Sequence, residues 1–153
     1  MTTTTHRASP ADLDALALLF DAYRQFYGQA SDPARARAWL RERLRFGESV
    51  VLVAKRGDVL TGFTQLYPMY SSVRTARTWI LNDLYVDSAA RRSGVGRTLL
   101  DAAATFARED GAAGISLETT RDNDAARALY RAAGWQDDAT QWYSLPLASG
   151  TLQ

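Results

Sequence analysis

A chain of 153 residues fits one ordinary domain, and 46% hydrophobic against 23% charged residues is the composition of a globular protein. A net charge of +1 provides no field to collect nucleic acid or an anionic membrane, and no apolar run reaches the length of a membrane span. Cysteine is absent and His6 is the sole histidine, so disulfides, thiolate catalysis and cysteine-ligated zinc are excluded. The same count argues against a Ser-His-Asp triad and a histidine-rich metal site, and no metal is expected. Lys55 is the only lysine; the other cations are arginines, which suit bidentate contacts with phosphate. The polar start at residues 1–5 does not read as a signal peptide, so the chain is expected to be cytoplasmic.

Residues 5–8 read as a short first strand. Ser9-Pro10 then opens a helix, with Leu13, Leu16, Ala17, Phe20 and Tyr23 on one face as far as about Phe26. Ser31-Asp32-Pro33 starts a second helix, which carries Trp39, Leu40 and Leu44 and ends at Gly47. Residues 49–55 and 59–67 are strands joined by a tight turn at Arg56-Gly57-Asp58, and Pro68 ends regular pairing or marks an edge. Residues 75–86 form a third long strand, completing an antiparallel meander. From Gly94 the period becomes helical, with Val95, Leu99, Leu100, Ala103 and Phe106 in register. A short strand over 113–118, a helix over 123–133 closed by Gly134, and strands at Trp135 and 141–147 complete the chain. Residues 148–153 read as a loose tail. The whole, residues 1–153, is a single mixed α/β (α+β) domain in the order β-α-α-β-β-β-α-β-α-β-β.

One segment points to an anionic ligand. The strand ending at Val86 is followed by Asp87 and then Arg91-Arg92-Ser93-Gly94-Val95-Gly96-Arg97 before the helix. A glycine-bearing loop that enters a helix N-terminus presents several backbone N–H groups in one direction, and the helix dipole adds positive potential there. No lysine follows the glycines, so this is not a P-loop, and Leu99 stands where a dinucleotide fingerprint needs its third glycine. Glu118 could pass for the ribose-binding acid of such a fingerprint.

These residues resemble the GNAT superfamily of N-acetyltransferases. The coenzyme A loop of that family, [RQ]-x-x-G-x-[GA], is matched in full by residues 91–96. Its downstream N-x-x-A-x-x-[LF]-Y-x-x-x-G-[FW] is matched by Asn123, Ala126, Leu129, Tyr130, Gly134 and Trp135. The resemblance covers roughly residues 48–147 and implies a mostly antiparallel central sheet with helices on both sides. It implies acetyl-CoA as acyl donor, with the pantetheine arm held by the backbone of Leu84, Tyr85 and Val86. The pyrophosphate would be held around Arg91, Arg92, Ser93, Gly94, Val95, Gly96 and Arg97, with Asn123, Arg127 and Tyr130 completing the cofactor contacts. Two central strands would splay apart to admit the cofactor.

The implied chemistry needs two proton events. An alkyl amine with a pKa of about 10.4 must lose a proton, and the leaving thiolate must gain one. Tyr130 is the implied acid. Asp83 is the candidate base, with Glu118 acting through water as an alternative, or no dedicated base at all; many relatives carry glutamate where this chain has Asn82. An aromatic acceptor pocket is expected from the first helices and the strand 62–70, with Tyr23, Phe26, Tyr27 and Tyr67 beside Asp83 and Glu118, and with Tyr70 and Trp79 contributing. Such a pocket suits a cation, hence a small primary amine, a polyamine or a lysine-like side chain. A non-catalytic acyl-CoA sensor of the same fold and an NAD-dependent oxidoreductase remain as alternatives. A homodimer fits the resemblance, with Trp142 and Tyr143 as interface candidates; an intramolecular core position explains them equally well.

Overall fold

Five strands form one sheet in the computed structural model of the chain, whose described residues are 2–148. They are β1 (Thr3–Arg7), β2 (Val50–Arg56), β3 (Val59–Ser71), β4 (Ala76–Val86) and β5 (Ile115–Ser116), lying side by side in chain order. The first four pair antiparallel. β5 joins β4 in parallel, after a crossover through helix α3 (Val95–Glu109). Helices α1 (Leu13–Phe26) and α2 (Pro33–Arg45) intervene between β1 and β2, and α4 (Asp124–Ala132) follows β5. This is the mixed, mostly antiparallel α/β class expected from the sequence. Residues 1–120, with the sheet and α1 to α3, form one compact unit, and residues 121–153, with α4, form another.

Local chemistry sets the helix starts. Pro10 opens a 3-10 turn in which the Ser9 N–H donates to the Asp12 carboxylate at 2.9 Å. α2 begins at Pro33, behind Asp32, whose side chain accepts the Arg35 N–H at 3.1 Å. The link between α1 and α2 is tied down by buried Asp21. Its carboxylate accepts from Ser31 Oγ and the Asp32 N–H, both at 2.7 Å, and from Gln25 Nε2 at 3.0 Å.

Two cores sandwich the sheet. On one face Leu16, Ala17, Phe20 and Leu40 from α1 and α2 pack on Val51, Val53, Phe63 and Tyr85. On the other, Val95 and Leu99 of α3 pack on Ala54 and Ala90. Farther along α3, the Phe106 ring meets Trp79 at 5.1 Å, and Trp79 Nε1 donates to Asp110 at 2.9 Å. Each fully buried leucine in these layers contributes about 2 kcal/mol of apolar burial.

The ladder between β3 and β4 runs on past Pro68, which pairs with Trp79. Pairing of β3 with β2 stops at Leu66 opposite Val50, so Pro68 has no ladder partner on that side among the described residues and its missing donor is not required. The edge alternative is the one that holds. β5 is shorter than the expected 113–118, because β4 breaks its regular ladder soon after the paired residues. The expected closing strands at Trp135 and 141–147 are not formed. α4 is the only regular element among the described residues of its unit, so the segment has no ladder to join there, and Pro146 lacks a donor. Trp142 and Tyr143 are exposed rather than in a core. The expected loose tail lies, beyond Ala148, outside the described residues.

Candidate active site

The site begins with an irregularity in β4. Leu66 faces Leu81 and Gln65 faces Asp83, so Asn82 has no partner and the strand bulges there. In an unbroken strand Leu81 and Asp83 would share a face. With the bulge, Asp83 joins Gln65 and Tyr85 on the face covered by α1, while Leu81 keeps to the side of Trp79 and α3. The bulge therefore aims a carboxylate at the aromatic side of α1.

Asp83 is 6% exposed and held by three donors. Tyr23 OH donates to Oδ1 at 2.8 Å, Asn82 Nδ2 to the same oxygen at 3.2 Å, and Gln65 Nε2 to Oδ2 at 2.7 Å. Thr64 Oγ1 donates to its main-chain carbonyl at 2.8 Å. Burial pushes the Asp83 carboxyl above the usual aspartate range, and the donations from Gln65, Tyr23 and Asn82 only partly oppose it. The Tyr23 phenol is pushed strongly upward by burial and by the Asp83 charge. Tyr67 moves the same way for the same two reasons. Both phenols thus stay protonated, Tyr23 as a donor to Asp83, and that carboxylate is a base stronger than a solvated aspartate.

Aromatic rings surround this group. Tyr23 lies 5.1 Å from Tyr27, 5.6 Å from Phe63 and 5.9 Å from Tyr85, and Phe26 lies 5.4 Å from Tyr27. The Arg91 guanidinium sits 5.5 Å over both Phe26 and Tyr85, and its Nε donates to the Val86 carbonyl at 3.1 Å. Trp39 lies beside Tyr67, and Arg43 stacks on the Trp39 ring at 4.0 Å while pairing with Glu42 and Glu48. Phe26 and Tyr27 are mostly exposed, so their faces are open to a ligand. One buried carboxylate among aromatic faces is an arrangement that suits a cation.

The edge of β4 supplies the second component. β5 pairs with β4 only at Trp79 and Ile80, extended by bonds between Trp79 N–H and Gly114 O and between Ala113 N–H and Arg77 O. Beyond Ile80, residues 81–86 have no ladder partner on that side among the described residues. The strands part there, leaving peptide groups available to an amide-bearing chain.

After β4, Arg92 and Gly94 both adopt positive φ, at 63° and 83°, around Ser93. Such alternation turns successive N–H groups into one concavity. The Thr98 N–H bonds Gly94 O at 3.0 Å as the helix begins, so the N–H groups of Val95, Gly96 and Arg97 precede the helical ladder. A Cβ on Gly94 would meet nothing within 4 Å; its glycine character is required by φ. The Arg56 guanidinium donates to the Ser93 carbonyl at 3.4 Å, and Ser93 Oγ is bonded to the Ala90 carbonyl. Arg97 pairs with Asp101 one turn on, at 3.1 Å. The open peptide edge suits the amides of an extended chain, and the N–H concavity at Gly94 suits an anionic group.

In the second unit Asn123 caps α4, its Oδ1 accepting the Ala126 N–H at 3.2 Å. Arg127 donates to the Arg121 carbonyl at 2.8 Å. Tyr130 is half-buried on α4 with its ring 6.4 Å from Trp135, and Gly134 at φ 92° closes the helix.

Of the expected pocket residues, Tyr23, Phe26, Tyr27, Tyr67 and Asp83 come together. Glu118 is exposed beyond β5, with no bond to the Asp83 cluster among the described residues. Tyr70 and Trp79 lie elsewhere. Tyr70 is exposed near the β3–β4 turn, opposite Arg77 in the ladder. Trp79 belongs to the α3 face. A depression of about 560 Å³ beside that turn is lined by Tyr70, Ser71, Ser72, Thr75, Ala76 and Arg77, with no carboxylate to serve as a base. The sequence reading missed Gln65, Ser49 and Trp39. For Gln65 a signal existed: it alternates with Phe63 and Tyr67 on the inward side of β3, where a polar residue needs a partner. Among the described residues no cluster of three or more metal-binding side chains occurs, and no helix is long and apolar enough to cross a membrane.

The sequence model of the Acetyltransferase (GNAT) family matches residues 14–135. The chain is 46% identical over 132 residues to the uncharacterized N-acetyltransferase YhfO of Bacillus subtilis (strain 168), which spans 86% of this chain and 89% of that one. The crystal structure of a probable acetyltransferase matches with a TM-score of 0.91 at 41% identity, over 96% of this chain and 99% of that chain. A predicted acetyltransferase from Clostridium acetobutylicum, solved with acetyl-CoA, has the same fold, with a TM-score of 0.76 at 17% identity over 97% and 99% of the two chains.

Proposed function

The chain belongs to the acetyltransferase (GNAT) family, and from that premise we propose that its acceptor is a primary amine, with Asp83 as base and Tyr130 as acid. As a member of that family it is an acetyl-CoA-dependent N-acetyltransferase. The acceptor class comprises small amines, polyamines and lysine-like side chains. The observation that carries the reading is the buried Asp83 carboxylate, ringed by aromatic faces and set on the strand whose edge is open from residue 81 to 86.

Acetyl-CoA, when bound, supplies the acetyl group as a thioester. The peptide groups of Leu84, Tyr85 and Val86 would hold its pantetheine arm, and the N–H groups from Arg92 to Arg97 its pyrophosphate. By the family resemblance, Asn123 and Arg127 would also contact the cofactor. The protein's task is then to move two protons. An amine reaches the site as an ammonium with a pKa of about 10.4, attracted by the Asp83 charge and by the faces of Tyr23 and Tyr27. Asp83 takes the proton, a transfer that its raised pKa favours over that to a solvated carboxylate. Tyr130 supplies a proton to the departing sulfur.

The test is thermal unfolding with acetyl-CoA, coenzyme A, NAD and ATP in parallel, followed by an amine panel read by thiol release. A ligand at 100 times its Kd should stabilise the fold by about 2.7 kcal/mol. Stabilisation by the two coenzyme A forms alone, with thiol release driven by cationic amines, is the expected result. A response to NAD only, or thiol release indifferent to the amine, would overturn the reading.

A further inference from the structure

Behind Asp83 lies a second row of polar groups that is buried from solvent. Gln65 is fully buried and Ser49 is 3% exposed. Ser49 Oγ donates to Gln65 Oε1 at 2.8 Å, and Gln65 Nε2 donates to Asp83 Oδ2 at 2.7 Å. A polar side chain fully buried in a strand centre is costly unless each of its groups is paired, so this row is retained at the expense of an apolar alternative.

We propose that Gln65, backed by Ser49, is a positioning residue that keeps Asp83 hydrogen-bonded both before and after it takes a proton. The inference rests on the reading of Asp83 as base. With the carboxylate charged, only the observed orientation works, because a reversed amide would set Oε1 against Oδ2, two acceptors together. Once Oδ2 carries a proton, the reversed amide is the one that fits. Asp83 then donates to Oε1, and Nε2 donates to Ser49 Oγ. The serine hydroxyl is what allows both arrangements, since it donates in the first and accepts in the second. Both ends of the Gln65 amide keep a partner in either state, so the proton can be held and released without leaving Oε1 or Nε2 bare.

The other titratable groups facing Asp83 are Tyr23 from α1 and Tyr67 from β3, both pushed upward. Arg43 and Glu48 lie beyond Tyr67 and pair with each other at 3.2 Å. Among the hydrogen-bonded groups Tyr23, Asn82, Gln65, Ser49 and Asp83, the last is thus the one carboxyl.

The experiment follows the Asp83 carboxyl carbon and the Gln65 side-chain amide by NMR against pH, in the wild-type chain and in Gln65→Met, Ser49→Ala and Asp83→Asn. Gln65→Met removes a charge-assisted bond from the ionised form and only a neutral one from the protonated form, so the Asp83 titration should rise by about one pH unit. Ser49→Ala removes one neutral bond from each state, so the titration should stay in place. In the wild type the Gln65 amide should titrate on the same curve as Asp83, and that response should vanish in Asp83→Asn. An unmoved Asp83 titration in Gln65→Met, a shift of similar size in Ser49→Ala, or a Gln65 amide silent across the wild-type titration overturns the proposal. The wild-type measurement stands even where a variant fails to fold. The pH profile of kcat/KM separates the two claims. If the NMR titration moves in Gln65→Met and the acid limb of kcat/KM does not, the positioning role stands and the base assignment falls.

Discussion

Gly62 and Tyr85 stand so close that a Cβ on Gly62 would lie 2.7 Å from the Tyr85 carbonyl oxygen, with Leu99 Cδ1 at 3.2 Å and Val95 Cγ1 at 3.3 Å behind it. Two strands and the start of α3 converge there. The carbonyl belongs to the part of β4 proposed to hold the pantetheine. Gly62→Ala must push backbone against backbone, which costs about 1–3 kcal/mol by overpacking. It should also weaken acetyl-CoA binding, because β4 moves. Denaturant unfolding beside a calorimetric titration checks both, and an alanine variant with unchanged stability would contradict the packing.

Gly94→Ala and Gly94→Asn separate conformation from ligand contact. At φ 83° alanine costs about 1–2 kcal/mol, whereas asparagine tolerates the left-handed region. A Cβ at this position meets nothing within 4 Å. The expected pattern is loss of stability with alanine, near wild-type stability with asparagine, and weaker coenzyme A binding in both. Full binding by either variant would place the pyrophosphate elsewhere.

Much of this loop was legible in the sequence, and the reasons are local. Glycines at a helix entry and arginines beside them act through their own backbone and their own charge, so spacing reveals them. The helix starts at Pro10 and Pro33 were equally open to reading, because capping involves neighbours in the chain. The bulge at Asn82 was not. It exists because two strands that are not contiguous in sequence choose a register, and nothing local in the run Trp79 to Tyr85 marks it. Trp79 and Tyr70 were misplaced for that reason, as each position's face depends on a partner strand. The closing strands failed on the same ground: alternation at 141–147 supplies half of a ladder only.

Asp83→Asn should lower kcat/KM by about 10²–10⁴-fold. In the wild type kcat/KM should rise with pH through the Asp83 titration, at a midpoint above the ordinary value of 3.8, since burial favours the protonated form. The asparagine variant should lack that limb. A limb that persists in Asp83→Asn assigns it to another group.

Tyr130→Phe should lower kcat by about 10²-fold or more with little change in the KM for acetyl-CoA, the signature of a group that acts on the leaving sulfur. Steady-state kinetics with acetyl-CoA varied at saturating amine reads this directly. A rise in KM with kcat intact would make Tyr130 a binding residue only.

Asp21 should control acid stability of the α1–α2 link. The Asp32 N–H holds its carboxyl below the ordinary 3.8, helped by Ser31 and Gln25 and opposed by burial. A depressed folded pKa adds stability that is complete above the unfolded pKa of about 3.9 and is lost as pH falls through the folded value. Asp21→Asn should therefore be less stable than wild type at pH 7, and the gap should close on acidification below about pH 4. Thermal melts of both proteins across pH 2–7 test it; a gap that widens toward acid refutes it.

Asn82 has a consequence for how such a site can change. It stands outside the ladder and is exposed, with Leu81 and Asp83 already matched to Leu66 and Gln65 on either side. Were Asn82 removed, the two stretches would close up in the same register, with every core side chain on its present face. The position is thus a spare link in the chain, one whose length and identity the core does not register. What does register it is Asp83, through the 3.2 Å bond from Asn82 Nδ2. Exchange at this point alters the neighbourhood of the carboxylate and leaves the packing alone, so descent with modification can retune the chemistry there without first having to rescue the fold.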